Sequence, residues 1–142
     1  KGEEHRGRKL LLATGVQDVL PDIEGLRAYY GRGVHHCPYC DGWEWRDHPL
    51  AVYGQGEAGS ALAIGLTVWS NDVVLCSDGP HDLPEKEEEA LARAGIEVRE
   101  EPIVRLDGKD GRLERVVFAS GAPLKRSAFR GLAMRRRRPS GA

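Results

Sequence analysis

Two features of this sequence have residue types at a spacing that does chemistry. The first is Cys37-Pro38-Tyr39-Cys40. Two residues between the cysteines let the sulfurs close a small disulfide, and the attacking thiol of such a pair commonly has a lowered pKa, so the pair can take up and return two electrons. The second is Gly54-Gln55-Gly56-Glu57-Ala58-Gly59, three glycines in the order GxGxxG. In a strand-to-helix turn the first glycine permits the tight bend, the second lets backbone amides approach a pyrophosphate, and the third lets helix and strand pack closely.

Each feature has competing readings. His35 and His36 precede Cys37 and with both cysteines offer a zinc site, so a zinc-binding interaction domain is one alternative; a second CxxC or HxxxH partner is missing, however. A glutaredoxin-like domain also uses Cys-Pro-Tyr-Cys, but runs its second cysteine into a long helix, which Gly42 and Pro49 interrupt here. The glycine turn could simply pack. Against that, Asp78 lies 19 residues past Gly59, at the end of the next apolar run, where a carboxylate would hold a ribose 2′-hydroxyl. No arginine lies in Ser77-Asp78-Gly79-Pro80-His81-Asp82, which favours NADH over NADPH; the competing reading of Asp78 is an Asx turn before Gly79. Cys76 reads as a core residue, His35 and His36 as a solvated linker or as tuners of the thiol, and Trp43, Trp45 and Trp69 as packing residues.

The elements that must position these residues can be read from periodicity. Leu50 to Tyr53 reads as a strand, Ser60 to Trp69 as a helix rich in Ala and Leu, and Asp72 to Cys76 as a second strand, which together make a βαβ unit. Pro84 to Ala94 is a second helix with acids in its first turn and Gly95 as its stop, and Ile96 to Arg99 is a third strand. Beyond Pro102 the period becomes two: Ile103 to Leu106, Leu113 to Phe118 and a strand toward Leu124 suggest an antiparallel meander turning at residues 107–111. Upstream, Lys9 to Gly15 reads as a buried strand and residues 17–33 as a linker with one amphipathic turn near Leu26. The fold class is therefore α/β, a Rossmann-like parallel sheet with crossover helices plus a β-meander.

In that order and spacing, Leu12-Ala13-Thr14-Gly15, Pro21 to Gly25, Cys37-Pro38-Tyr39-Cys40-Asp41-Gly42 and the Gly54–Gly59 loop resemble the low-molecular-weight thioredoxin reductases, FAD-dependent pyridine nucleotide-disulfide oxidoreductases. The resemblance implies a hydride passing from NADPH or NADH to FAD, then electrons to the Cys37–Cys40 disulfide and onward to a thioredoxin-like protein or small-molecule disulfide. It makes Cys40 the flavin-facing sulfur, Cys37 the interchange thiol and Asp41 the acid/base, for which an N-cap or turn role before Gly42 is the alternative. Pro38-Tyr39 replaces the small pair usual in thioredoxin reductases and looks more like relatives acting on small dithiols. The resemblance divides the chain into a remnant of an FAD domain and linker (1–32) and an NAD(P)H-binding domain with the CxxC (33–124), and the arginine-rich end reads as a basic, disordered tail (125–142). It implies a homodimer for the full-length parent and an FAD held largely by segments outside this chain. A truncated, non-catalytic NAD(P)-binding module is the other alternative.

Composition bounds these readings. The 142 residues are 40% hydrophobic, enough for one packed domain, with 21 basic and 22 acidic residues. Seven of the basic residues follow residue 124 with no acid among them, so the body is acidic, which argues against a nucleic-acid partner. No apolar run nears the roughly 20 residues that span a bilayer, and the start lacks a secretion signal, so the expectation is a cytoplasmic protein without a membrane partner. Three cysteines, an odd and sparse set, fit a reducing compartment. The only methionine is Met134, and the chain reads as a fragment of a longer frame.

Overall fold

Runs of β-branched and aliphatic residues too short for helices dominate the chain, and they assemble into three sheets. The computed structural model describes residues 4–11, 13, 15–131 and 134–137. Its strands are β1 (Val16–Val19), β2 (Val34–His35), β3 (Leu50–Tyr53), β4 (Val73–Cys76), β5 (Glu97–Arg99), β6 (Ile103–Lys109), β7 (Arg112–Phe118), β8 (Leu124–Lys125), β9 (Ala128–Gly131) and β10 (Met134–Arg137). The helices are α1 (Leu26–Tyr29), α2 (Gly56–Leu66) and α3 (Glu85–Arg93), and Gly42–Trp45 forms one 3-10 turn.

A five-stranded parallel sheet in the order β2-β9-β3-β4-β5 occupies the middle. Because successive strand residues point to opposite faces, this sheet has two cores. Leu50, Val52, Val73, Leu75 and Ala128 face α2 and α3, meeting Ala63, Leu66 and Leu91. Ala51, Val74, Cys76, Phe129 and Val34 face the antiparallel sheet β6-β7-β8, meeting Ile103, Leu106, Val116 and Phe118. The result is three layers, with helices on one side of a Rossmann-like sheet and a meander on the other. Ser60 Oγ donates to Glu87 Oε2 at 2.7 Å and ties α2 to α3. The meander turns at Asp110-Gly111, both at positive φ (52° and 76°), the backbone a two-residue hairpin turn needs to match strand twist.

The ends depart from the sequence expectations. The upstream strand lies at Val16–Val19 rather than at residues 9–15; of that earlier run, Leu12 and Thr14 lie outside the described residues. Within 125–142, expected as a disordered basic tail, Ala128–Gly131 instead forms β9 and Met134–Arg137 forms β10, while 132, 133 and 138–142 lie outside the described residues. The physical reason is that β3 would otherwise present an open edge. β9 pairs with it over four residues, Leu50↔Ala128 to Tyr53↔Gly131, and Ala128 and Phe129 are wholly buried. β10 pairs antiparallel with β1.

Candidate functional site

The cysteine pair follows β2 directly. Cys37 and Cys40 are disulfide-bonded, with their Cα atoms 5.6 Å apart. The 3-10 turn beginning at Gly42 fixes the chain after them, and Gly42 has to be glycine for a reason the sequence could not show. A Cβ there would lie 2.5 Å from Nε1 of Trp69, whose ring is pressed against that backbone. Tyr39 and Trp43 are exposed beside the disulfide, and the Arg46 guanidinium stacks 4.1 Å from the Trp43 ring centroid.

Asp41 anchors the loop from the sheet side. Its Oδ1 accepts from Arg130 Nη1 at 2.6 Å, and its Oδ2 accepts from Trp45 Nε1 at 3.1 Å and lies 3.1 Å from His35 Nδ1. The same Arg130 nitrogen reaches the Cys37 carbonyl at 3.4 Å. His35 and Arg130 are register partners on β2 and β9, so both side chains leave the sheet on its helix face, where Asp41 meets them. Burial pushes the His35 pKa down; Asp41 opposes that shift, while Arg130 and His36 add to it. Arg130 is wholly buried, with its Nε and Nη2 lacking partners, as does His35 Nε2. Asp41 was singled out from sequence. Arg130, 89 residues away and counted among the basic residues of the tail, was not, and His35 sits in a strand rather than in a solvated linker.

Cys76 ends β4 on the meander face, fully buried, and burial raises its thiol pKa to about 12. After mild reduction of the native chain, iodoacetamide is expected to add two carbamidomethyl groups, at Cys37 and Cys40, with the third appearing only in denaturant. Intact-mass spectrometry reads the count, and a native count of three would place Cys76 in reach of solvent.

The glycine turn links β3 to α2. α2 begins at Gly56, so the loop is shorter than the six residues expected of it. Gln55 is the N-cap without a side-chain cap, leaving the first-turn amides uncapped by any side chain. Gly56 has φ of +55° with open space where a Cβ would go, whereas a Cβ on Gly59 would lie 2.6 Å from the Gly54 carbonyl carbon. A tight turn, an open backbone and a close helix-strand contact are what a pyrophosphate cradle requires. Gln55 Nε2 donates to the Ser77 carbonyl at 2.9 Å, joining the loop to the segment after β4. Glu57 and Ala58 are exposed in the first turn of α2.

Asp78 stands at the end of β4 at φ +55°. Its Oδ1 accepts the Ile103 N–H at 2.6 Å and its Oδ2 accepts from the Tyr53 hydroxyl at 3.5 Å, so it stitches the parallel sheet to the meander. Burial, and then Asp78, push the Tyr53 pKa up.

Strand order gives the site its plan. β4 and β5 lie on one side of β3, and β9 and β2 on the other, so the order reverses beside β3, where open α/β sheets bind ligands at the carboxyl ends of their strands. The glycine turn and Asp78 occupy the β3 and β4 ends, and the disulfide follows the β2 end. An apolar pocket is lined by Tyr30, Val34, His35, Tyr53, Phe129 and Gly131.

A glycine-rich strand-to-helix turn and a CxxC disulfide thus stand at one end of one parallel sheet. The family model described as pyridine nucleotide-disulphide oxidoreductase matches residues 1–130, and the chain belongs to that family. Within it the chain is similar to thioredoxin reductases. It is 38% identical over 78 residues to the probable thioredoxin reductase of Arthroderma benhamiae, covering 55% of this chain and 19% of that protein. The putative thioredoxin reductase TrxB of Bacillus anthracis superposes with a TM-score of 0.80 at 35% identity, covering 88% of this chain and 42% of that one. HlmI superposes with a TM-score of 0.81 at 37% identity, covering 87% and 38%. The chain thus spans less than half the length of each. Among the described residues no helix is long and apolar enough to cross a membrane.

Proposed function

We propose that this chain is the nicotinamide-dinucleotide-binding, disulfide-bearing part of a thioredoxin-reductase-like enzyme. In this reading, reducing equivalents from NADH or NADPH reach the Cys37–Cys40 disulfide and pass on to a disulfide of a protein or small molecule. The observation that carries the proposal is the placement of an open glycine cradle and a CxxC disulfide at the carboxyl ends of the same parallel sheet, on either side of the point where its strand order reverses. The Glu57 and Ala58 amides in the first turn of α2 would receive the pyrophosphate, with Gly54, Gly56 and Gly59 shaping the turn around it.

A flavin, when bound, supplies the two-electron relay between nicotinamide and disulfide. The chain's own residues do the rest. Reduction opens the S–S bond with two electrons and two protons, giving two thiols. Asp41, next in sequence to Cys40, would serve as the acid/base for the sulfurs, its carboxylate held by Arg130 at 2.6 Å and beside His35 at 3.1 Å. The interchange thiol, Cys37, then attacks the substrate disulfide and Cys40 resolves the mixed disulfide.

The test is Cys40→Ser in the chain joined to the flavin-bearing remainder of its enzyme. Substrate disulfide reduction is expected to fall to background while flavin bleaching by the nucleotide persists. Loss of both would contradict the division of labour, and intact turnover would remove the cysteine pair from the path.

A further inference from the structure

Resting on the dinucleotide reading above, we infer that the ribose end of this cleft selects NADH and rejects NADPH, through a fixed carboxylate wall. In a βαβ unit the adenosine ribose meets the residues that follow the second strand. Here those are Ser77, Asp78 and Gly79, and the loop beyond them lies against the glycine cradle: the Gly56 N–H reaches the His81 carbonyl at 3.4 Å.

Every group in this wall that could greet a 2′-phosphate is already committed or carries the wrong charge. The Ser77 side chain is buried, and its hydroxyl donates to the Gly79 carbonyl at 2.5 Å. Asp78 cannot swing away, because its Oδ1 is held by the Ile103 N–H. β5 ends next door, where the Gly79 N–H donates to the Glu100 carbonyl at 2.8 Å and the Glu100 carboxylate, half exposed, accepts the His81 N–H at 3.1 Å. Arg99 is the register neighbour of Cys76, yet its guanidinium is clamped on Glu101 at 2.7 and 2.9 Å and stacked 4.5 Å from the Phe118 ring centroid. His81 Nδ1 accepts the Leu83 N–H, and Nε2 lies 3.8 Å from both Glu88 and Glu100.

A ribose diol suits such a wall, since Asp78 and Glu100 retain lone pairs for its hydroxyls. A 2′-phosphate would add two negative charges beside carboxylates with no uncommitted cation among the described residues of the wall. Like-charge juxtaposition of this kind sustains about a 100-fold preference, equivalent to about 2.8 kcal/mol.

The test is titration of the 142-residue chain with NADH and NADPH, followed by nucleotide fluorescence, at low and at high salt. NADH is expected to bind about 100-fold more tightly at low salt, with the gap shrinking as salt screens the exposed Glu100. Glu100→Lys is expected to tighten NADPH at least tenfold. Asp78→Asn, which keeps the acceptor for Ile103, is expected to do so as well. NADPH binding as tightly as NADH, or a gap indifferent to salt and to both substitutions, would overturn this inference and leave the nucleotide site standing. Failure of either nucleotide to bind would overturn the dinucleotide reading itself.

Discussion

Asp41→Asn is expected to lower the unfolding free energy of this chain by about 3 kcal/mol, the low end of what removing one partner of a buried ion pair costs. The reason lies in Arg130, not in Asp41. The guanidinium is wholly buried, its one charge partner among the described residues is Asp41, and its Nε and Nη2 have no hydrogen-bond partner there. Neutralising Asp41 strands a cation in the core, while the new amide oxygen still accepts one hydrogen bond and softens the loss. The converse substitution should behave differently. Arg130→Met removes the charge and its desolvation cost from a strand flanked by Val52 and His35, and Asp41 stays partly exposed with Trp45 as a donor and His35 Nδ1 3.1 Å away. Stability is therefore expected to hold or rise by up to about 2 kcal/mol, and Arg130→Met is expected to erase most of the cost of Asp41→Asn in the double variant. Urea unfolding of the wild-type chain, the two single variants and the double variant measures this. If Arg130→Met alone costs more than the Asp41 change, Arg130 contributes packing rather than a buried-charge liability.

The second large effect is at Gly59. Gly59→Val is expected to weaken nucleotide binding at least about 100-fold and to destabilise the chain by about 1–3 kcal/mol, the usual cost of overpacking. Even one Cβ would lie 2.6 and 2.7 Å from the Gly54 carbonyl carbon and oxygen. Backbone cannot yield as a flexible side chain would, so α2 must lift from β3 and carry its amides away from the phosphates. Gly65, in the same helix, is the control. A Cβ there meets nothing within 4 Å, and Gly65→Ala should add about 0.5–1 kcal/mol by helix propensity while leaving binding unchanged. Calorimetric titration with thermal melts separates the two. Equal behaviour of both variants would mean that the close contact is not what the third glycine supplies.

These residues also show where sequence reasoning reaches its limit. The segment from Leu50 to Arg99 could be read in order, because strand, glycine turn, helix and strand are local patterns with distinct periods. The meander could too, with its Asp-Gly turn narrower than expected. β9 could not. It is four residues long, it carries an arginine where a central strand ordinarily carries an aliphatic residue, and its reason to exist is the open edge of β3, more than 70 positions earlier. The same distance hid the Arg130–Asp41 contact. Asp78 was read for its position after β4, and its bond to Ile103 followed only once the two sheets were stacked. Local elements were visible from spacing; contacts made by stacking were not.

The cradle between β3 and α2 is most directly tested by following backbone amide resonances of the isotope-labelled 142-residue chain as NADH is added. Saturable shifts concentrated at Gly54 to Gly59 and at Ser77 to Gly79, abolished in Gly59→Val, are the result expected. Shifts that spare the glycine turn, or none at saturating nucleotide, would contradict the account.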